Sequence, residues 1–304
     1  MKTPTGKLWR DYCDFLAGHF DGKMQKISVN LGLSCPNRDG TLGRGGCIYC
    51  NNSSFSPAYC ASSPSVTEQL EKGKLFFARK YPNMRFLAYF QAYTSTHARD
   101  IDTLMALYEE AMSVEGVEGI IISTRPDCVS AELLDRLRTL PWVMMEYGAE
   151  SAHDRTLELV NRCHSWRQVE EAVRLTADRG IPVGLHLIMG LPGETPGDML
   201  ATIDAVNLLP VSTVKLHQLQ VIRGTRLAEQ VGEGEISLTI TDAEEYAALC
   251  AHIVERLRPD IAVERFVAQA PPQMLLAPSW RLKNYEFVHL VERRLLLLRS
   301  ACPH

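Results

Sequence analysis

The sequence predicts an α/β protein in which six parallel strands form a partial (β/α)6 barrel, followed by a C-terminal mixed extension. Short β-branched or aromatic runs alternate with segments of helical apolar spacing, which is the pattern of βαβ units. The 304 residues are enough for one such barrel. A composition with 46% apolar and 22% charged residues is typical of a folded domain rather than a disordered chain.

The predicted strands are short runs rich in β-branched or aromatic residues. Six of them occur, at residues 26–31, 85–91, 119–123, 143–147, 183–188 and 214–220. Helical spacing is found between them, at residues 65–81, 101–114, 131–140, 166–179 and 197–208. Ser130 is expected to cap the third helix, and Gly180 to end the fourth. Because such crossovers are right-handed, functional loops are expected together at the carboxyl ends of the strands.

The apolar pattern changes beyond the sixth strand. Glycines break the chain at residues 232–234, and two further helices are predicted at 242–257 and 285–298. We therefore expect three parts, which are an N-terminal extension, the barrel and a C-terminal extension packed on it, at residues 1–25, 26–228 and 229–304.

Whether cysteines stay reduced or form disulfides depends on the cellular compartment of the protein. The N-terminus has no apolar stretch with a cleavage site, and no run of about eighteen apolar residues occurs, so we expect a cytoplasmic protein without membrane attachment. Nine cysteines in that compartment are expected to stay reduced, and clustered ones indicate a metal site or catalysis.

Charge is unevenly distributed along the chain. The formal net charge is −4, but residues 1–100 contain 13 Lys and Arg against 7 Asp and Glu, while the remainder contains 19 against 29. The basic part would attract a polyanionic substrate. An uneven solvated surface explains the same numbers equally well.

Three of the cysteines lie close together in CPNRDGTLGRGGCIYC, residues 35–50. Three thiolates can hold three corners of a [4Fe–4S] cluster and leave the fourth iron open to a chelating ligand. Zinc is the alternative, but a closed zinc site needs a fourth ligand, for which Cys60 is the convenient residue.

The metal-ligand candidates Cys35, Cys47 and Cys50, with Tyr49 before the last, resemble the cluster loop of radical S-adenosylmethionine (SAM) enzymes. Most members place three residues between the first two cysteines, whereas this sequence has eleven. The longer stretch CPNRDGTLGRGGCIYCNN resembles the YhcC/MnmL branch, which is related to the elongator-type enzymes. The resemblance extends from FDGKMQKISVNLGLSCPNRDG to LLAPSWRLKN, which is nearly the whole chain.

This resemblance implies the radical SAM fold, with a [4Fe–4S] cluster and SAM as cofactors. In the family, the amino and carboxylate groups of SAM chelate the open iron. One electron, expected here from a flavodoxin- or ferredoxin-type reductase, then cleaves SAM to methionine and a 5′-deoxyadenosyl radical that takes hydrogen from the substrate.

Residues near the strand ends are the candidates for holding SAM. Tyr49 would cover the adenine or the cluster. Where the family often has Gly-Gly-Glu, this sequence has QAYTST, so the replacements are Gln91, Tyr93 and Thr94. Ser123 ends the third strand and is a further candidate.

Three later motifs add candidates by the same resemblance. Glu150 in YGAES would accept hydrogen bonds from the ribose hydroxyls, and Arg162 in VNRCH would hold the SAM carboxylate in bidentate fashion. His186 and Ile188 in HLIMGLPGET would face the adenine. Arg125, His217 and Gln220 are candidates for facing the substrate, and Val221 and Ile222 for packing on the adenine.

The resemblance also implies tRNA as the substrate. Members of the branch convert the carboxymethylaminomethyl group of the wobble uridine to aminomethyl, on a base that is already single-stranded and can enter a pocket. Residues from both ends of the chain would contact phosphates, namely Trp9, Arg10, Arg38, Arg44, Arg281, Lys283, Arg293 and Arg294. Two alternatives remain, a radical SAM enzyme for a small metabolite or protein side chain, and a non-enzymatic metal- or nucleic-acid-binding protein.

Overall fold

A curled sheet of parallel strands forms the centre of the protein. The structure is a computed structural model that describes residues 5–54, 56–61, 65–78, 84–98 and 100–301. Its strands are β1 (Met24–Val29), β2 (Arg85–Phe90), β3 (Val117–Thr124), β4 (Val143–Glu150), β5 (Val183–Met189), β6 (Thr213–Gln218), β7 (Val221–Ile222), β8 (Ala262–Arg265) and β9 (Leu275–Ala277). Seven of them form one sheet in the order β1-β2-β3-β4-β5-β6-β8, and β7 pairs with β9.

The helices that cross from strand to strand lie outside the curve of the sheet. They are α4 (Val66–Ala78), α5 (Ile101–Met112), α6 (Ala131–Leu137), α8 (Trp166–Ala177) and α9 (Pro196–Asn207). The remaining helices are α1 (Tyr12–Ala17), α2 (Pro36–Asp39), α3 (Ala58–Ala61), α7 (Asp154–Leu159), α10 (Arg226–Gly232), α11 (Ala243–Arg256) and α12 (Asn284–Ala301). As predicted, Ser130 caps α6, because its hydroxyl accepts a hydrogen bond from the Leu133 amide at 3.2 Å.

The partial α/β barrel predicted from the sequence is confirmed, with one strand more than expected. All six predicted strands are present in the expected order. The seventh, β8, arises in the predicted C-terminal extension and pairs in parallel with β6. Its sequence, AVER, is short and half charged, so it lacks the apolar run that marks the other strands. The last residues of the predicted helix 65–81 lie outside the described residues.

The two faces of the sheet pack differently, because successive side chains of a strand point to opposite sides. On β2, Ala88 and Phe90 belong to the main core beneath the outer helices. Leu87 and Tyr89 point inward and pack with α1, whose Phe15 is buried beside them. Helix α1 therefore covers one end of the barrel interior, and the carboxyl ends of the strands surround the other.

The C-terminal helices pack on the main core. Leu295 on α12 is fully buried, whereas Leu296 and Leu297 are exposed. Within the described part of the chain, no helix has the length and apolar character that crossing a bilayer requires.

Candidate functional site

A cavity of about 490 Å³ lies inside the barrel and reaches the carboxyl ends of the strands. All twelve residues predicted to bind the metal or the cofactor line it, namely Cys35, Cys47, Tyr49, Cys50, Gln91, Tyr93, Thr94, Ser123, Glu150, Arg162, His186 and Ile188. A second cavity of about 760 Å³ lies at the surface between the N-terminal segment and α11, and none of the twelve residues lines it. The barrel cavity is therefore the candidate site.

The cysteine loop owes its shape to hydrogen bonds with the segment that follows α7. The Asn37 side-chain amide donates to the Asn161 carbonyl oxygen at 2.6 Å, and the Ile48 amide donates to the Val160 carbonyl at 3.1 Å. Gly43 lies so close that a Cβ there would be 2.4 Å from Asn37 Oδ1. These contacts bury Cys47 and leave the other two thiols partly accessible from the cavity.

The three thiols suit a cluster better than a single ion. All three are free and line one cavity. Among the described residues, no three His, Cys, Asp or Glu side chains converge as they would around one metal ion. A [4Fe–4S] cluster needs a different arrangement, because each thiolate binds a different iron. Burial raises the pKa of the Cys50 thiol to about 11, and the neighbouring Cys47 contributes to the increase. A bound metal would therefore have to stabilise the thiolate form.

Arg162 and Glu150 form a buried pair beside the cysteine loop. Arg162 Nη2 lies 3.3 Å from Glu150 Oε1 and donates to the Gly148 carbonyl at 2.7 Å, while Nη1 lies 3.5 Å from Cys47 Sγ. Burial raises the pKa of Glu150, although Arg162 opposes this. A Cβ on Gly148 would lie 2.4 Å from Arg162 Nη2, so only glycine leaves room for the pair.

Several buried polar atoms around the cavity have no protein partner. Eight such side-chain atoms occur among the described residues, and four of them belong to residues that line the cavity: Tyr49 Oη, Thr94 Oγ1, Arg162 Nε and Arg265 Nε. Buried polar groups nearly always have hydrogen-bond partners in folded proteins. Polar ligands in the cavity would supply them, and Tyr49, Thr94 and Arg162 are the three of these residues that fit SAM.

Backbone strain is concentrated at the same place. Five non-glycine residues of the described chain have positive φ, and two of them, Tyr93 and Glu150, line the cavity. Two more, Asn161 and Cys163, flank Arg162. Such conformations persist where surrounding contacts require them, and they are enriched at functional sites.

The interior of the cavity contains a charge network that the sequence analysis did not predict. Lys26 Nζ lies 2.8 Å from Glu146 Oε1 and 2.6 Å from Glu264 Oε2. Lys215 Nζ lies 2.7 Å from Glu146 Oε2 and 3.0 Å from Glu264 Oε1. Burial alone would raise the pKa of Glu146, but Lys215 and Lys26 hold it well below its usual value. Two ammonium groups thus balance two carboxylates.

The sequence signal for this network is a charged residue in the interior of a strand. Lys26, Glu146 and Lys215 occupy such positions in β1, β4 and β6. His186 Nε2 donates to Glu146 Oε2 at 2.6 Å, and burial lowers the pKa of His186 to about 4. His186 therefore lines the cavity as a neutral hydrogen-bond partner of Glu146. The sequence analysis predicted a contact with the adenine for His186 but not this contact with Glu146.

The other residues singled out in the sequence have mixed placements. Arg125 lines the cavity but is buried in an ion pair with Asp127 at 2.7 Å. Trp9 was expected to contact a phosphate. Its ring is instead buried against Phe266 and is not available for such a contact. Ile222 and Arg38 also line the cavity, as do the predicted substrate-facing residues His217 and Gln220.

The other predicted phosphate contacts have different surroundings. Arg293 and Arg294 both pair with Glu244, and Arg10 donates to the Asp260 carbonyl. Arg44, Arg281 and Lys283 are exposed.

Comparisons with known proteins agree with this geometry. Residues 33–206 match the family described as the Radical SAM superfamily, and residues 211–296 match the Radical_SAM C-terminal domain. Protein YhcC of Escherichia coli K12 is 36% identical over 269 residues, which cover 87% of this chain and 85% of YhcC.

Two further similarities involve proteins of Methanocaldococcus infernus. The structure of archaeal Elp3 superposes with a TM-score of 0.66 over 93% of this chain at 17% identity, so it supports the fold alone. This chain spans 64% of that structure. A tRNA uridine(34) acetyltransferase is 32% identical over 119 residues, which are 38% of this chain and 22% of that protein.

Proposed function

Since the chain belongs to the radical SAM superfamily and is a radical SAM enzyme, we propose that it modifies the side chain of the wobble uridine in tRNA. The reaction oxidises the methylene carbon of the carboxymethyl group by two electrons, with SAM as the oxidant. Water then cleaves the bond between this carbon and the amine nitrogen, which leaves 5-aminomethyluridine and releases the two carbons as glyoxylate. The observation that carries the proposal is the single barrel cavity, which contains three free thiols, the Arg162–Glu150 pair and unpartnered polar atoms.

The residues of the cavity divide into those that hold the cofactors and those that surround the substrate. Cys35, Cys47 and Cys50 would bind a [4Fe–4S] cluster, and Arg162 would bind the carboxylate of SAM through its free Nε and neighbouring nitrogens. When bound, these cofactors supply a 5′-deoxyadenosyl radical that takes a hydrogen atom from the substrate.

The protein's own contribution is orientation and shielding. Glu150, whose Oε1 lies 3.3 Å from Arg162 Nη2, would accept hydrogen bonds from the ribose hydroxyls of SAM. Tyr49 and Thr94 have hydroxyl groups without protein partners among the described residues. Helix α1 packs its buried Phe15 against Leu87 at the other end of the barrel interior, and so limits water access from that end. A reactive intermediate is thereby kept from solvent.

Two observations support a tRNA substrate. The uridine(34) acetyltransferase matches part of this chain, and its name places its action on the wobble position. On the cysteine loop, Arg38 lines the cavity and lies 5.9 Å from the Tyr93 ring centroid, and Arg44 is exposed. Cations and an aromatic ring at the mouth of a cavity are suited to phosphates and an unstacked base.

The test is an anaerobic assay with reconstituted protein, SAM, dithionite and tRNA from a strain that lacks the enzyme. Mass analysis of the digested nucleosides should show loss of 5-carboxymethylaminomethyluridine and an equal gain of 5-aminomethyluridine. Omission of SAM and the Cys47→Ala protein are the controls. SAM cleavage without any change in the tRNA would favour a small-metabolite or protein substrate, whereas protein without iron and sulfide would exclude radical chemistry altogether.

A further inference from the structure

Arg265 lines the cavity beside the charge network but pairs with no carboxylate of the described residues. It ends β8 and lines the cavity with its neighbour Glu264. Side chains alternate along a regular strand, so adjacent residues should not both face inward. Here the pairing of β6 with β8 shifts register, from Val214 opposite Val263 to Lys215 opposite Arg265. This irregularity leaves Glu264 as an extra residue and turns both side chains into the cavity.

The contacts of Arg265 differ from those of the two lysines in the cavity. Lys26 and Lys215 each contact both Glu146 and Glu264. Within the described residues, no carboxylate lies at ion-pair distance from the Arg265 guanidinium. Its Nη2 lies 3.0 Å from His217 Nε2, and its Nε is buried without a partner.

The neighbouring histidine does not compensate this charge. Burial lowers the pKa of His217 well below its usual value, and the positive charge of Arg265 lowers it further. The imidazole ring is therefore neutral. A neutral imidazole can accept one hydrogen bond from the guanidinium but offers no negative charge. A guanidinium that lines a cavity without a carboxylate partner is available to an anion that enters the cavity.

We propose that Arg265 binds an acidic group of the substrate, which under the proposed function is the carboxylate of the carboxymethylaminomethyl side chain. A guanidinium is suited to this task, because its parallel N–H groups match the two oxygens of a carboxylate. His217 holds Nη2 of Arg265 in place, and the guanidinium lines the cavity without a carboxylate partner among the described residues, so it remains for the ligand. This inference rests on the proposed function for the identity of the acid, but not for the presence of an anion-binding group.

Two arginines of the cavity therefore have separate tasks. Arg162 lies beside Cys47, within reach of a cofactor at the cysteine loop. Arg265 lies on the last strand of the sheet, in contact with β6 through His217. The enzyme would recognise the acid that it removes, and the amine product, which lacks this carboxylate, would leave the site more easily.

The experiment compares 5-carboxymethylaminomethyluridine with its carboxamide, which has nearly the same size and shape but no negative charge. Binding of both nucleosides to the reconstituted, SAM-loaded protein is measured by calorimetry. Wild-type protein should prefer the acid by about 10- to 100-fold, the range expected for one charge-assisted pair. Arg265→Gln should bind both nucleosides equally, and Arg265→Lys should recover part of the preference. SAM affinity and iron content should stay at the wild-type level in both variants.

The matched control is Arg256→Gln, because Arg256 pairs with Asp204 at the surface and lines neither cavity. An acid preference that survives in Arg265→Gln, or that is absent from the wild type, overturns the inference. The tRNA assay separates the two proposals. Unchanged tRNA together with an Arg265-dependent acid preference would refute the proposed function alone, whereas wild-type conversion rates in Arg265→Gln would refute the inference alone.

Discussion

Lys26 Nζ lies 2.6 Å from Glu264 Oε2, so a side chain of β1 meets a side chain of β8, the strand at the opposite edge of the sheet. The sheet does not close into a hydrogen-bonded barrel. Side chains join its two edges instead, and Asp11 bridges to Val263 beside them. The contact spans 238 positions of sequence and stabilises the curvature that encloses the cavity.

Glu264→Gln should therefore destabilise the fold. The substitution leaves Lys26 and Lys215 with one carboxylate between them, and removing one partner of a buried ion pair costs about 3 kcal/mol. Urea unfolding should show the loss. Glu244→Gln is the control, since Glu244 pairs with arginines on the surface and should cost less than about 1 kcal/mol. Equal losses in the two variants would contradict the role of the network.

Cys47→Ala should prevent cluster assembly without unfolding the protein. The loop lies outside the main core, so circular dichroism should stay unchanged. Iron and sulfide content should fall sharply, and 5′-deoxyadenosine should not form. Cys13→Ala is the control, because Cys13 is exposed and does not line the cavity. Wild-type amounts of 5′-deoxyadenosine from Cys47→Ala would refute the assignment of this ligand.

Arg162→Gln should weaken SAM binding while the cluster remains. Loss of a charge-assisted hydrogen bond costs about 1.5–3 kcal/mol, or about 10- to 100-fold in the dissociation constant. Equilibrium binding of SAM to the anaerobic protein measures the effect. Arg167→Gln provides the comparison, since the Arg167 side chain is 83% exposed. Unaltered SAM affinity would show that Arg162 has only a structural role.

Gly148→Ala should reduce SAM affinity without changing any charge. The new Cβ would lie 2.4 Å from Arg162 Nη2 and 2.7 Å from Glu150 Oε1, so the pair must shift. Gly197→Ala is the matched substitution, because its Cβ would meet Thr195 Oγ1 at an ordinary 3.6 Å. If both variants bind SAM as the wild type does, the position of the Arg162–Glu150 pair is not important for the cofactor.

Protonation of His186 should make stability depend on pH. Burial lowers the pKa of His186 from 6.5 to about 4, despite its hydrogen bond to Glu146. Between these values the unfolded chain binds a proton that the folded protein does not, so the free energy of unfolding falls as the pH decreases from about 6.5 to about 4. The share of His186 is at most about 3 kcal/mol.

Urea unfolding of the wild type and of His186→Gln across this pH range tests the assignment. The variant should lose less stability on acidification. Some pH dependence will remain, because burial also lowers the pKa values of His164 and His217. Parallel curves for the two proteins would mean that His186 does not titrate as assigned.

Much of the architecture follows from local sequence patterns. The alternation of apolar runs and helical spacing predicted six strands of the sheet in their observed order. It also predicted that residues as distant as Cys35 and Ile188 would share one cavity, because the carboxyl ends of parallel strands meet at one edge. The domain limits at 26–228 and 229–304 stay predictions, as do the individual roles of the cysteines and of the SAM contacts.

Only the tertiary structure determines which charged side chains meet in the cavity. The residues around a lysine in a strand do not indicate whether its side chain faces water or a buried carboxylate. Lys26 pairs with Glu146, which lies 120 positions away in the sequence. The register shift that turns Glu264 and Arg265 inward together depends on pairing with β6, not on the residues of β8. The sequence by itself therefore determined six strands and the cysteine loop, whereas long-range pairing determined which charged side chains of the cavity form ion pairs.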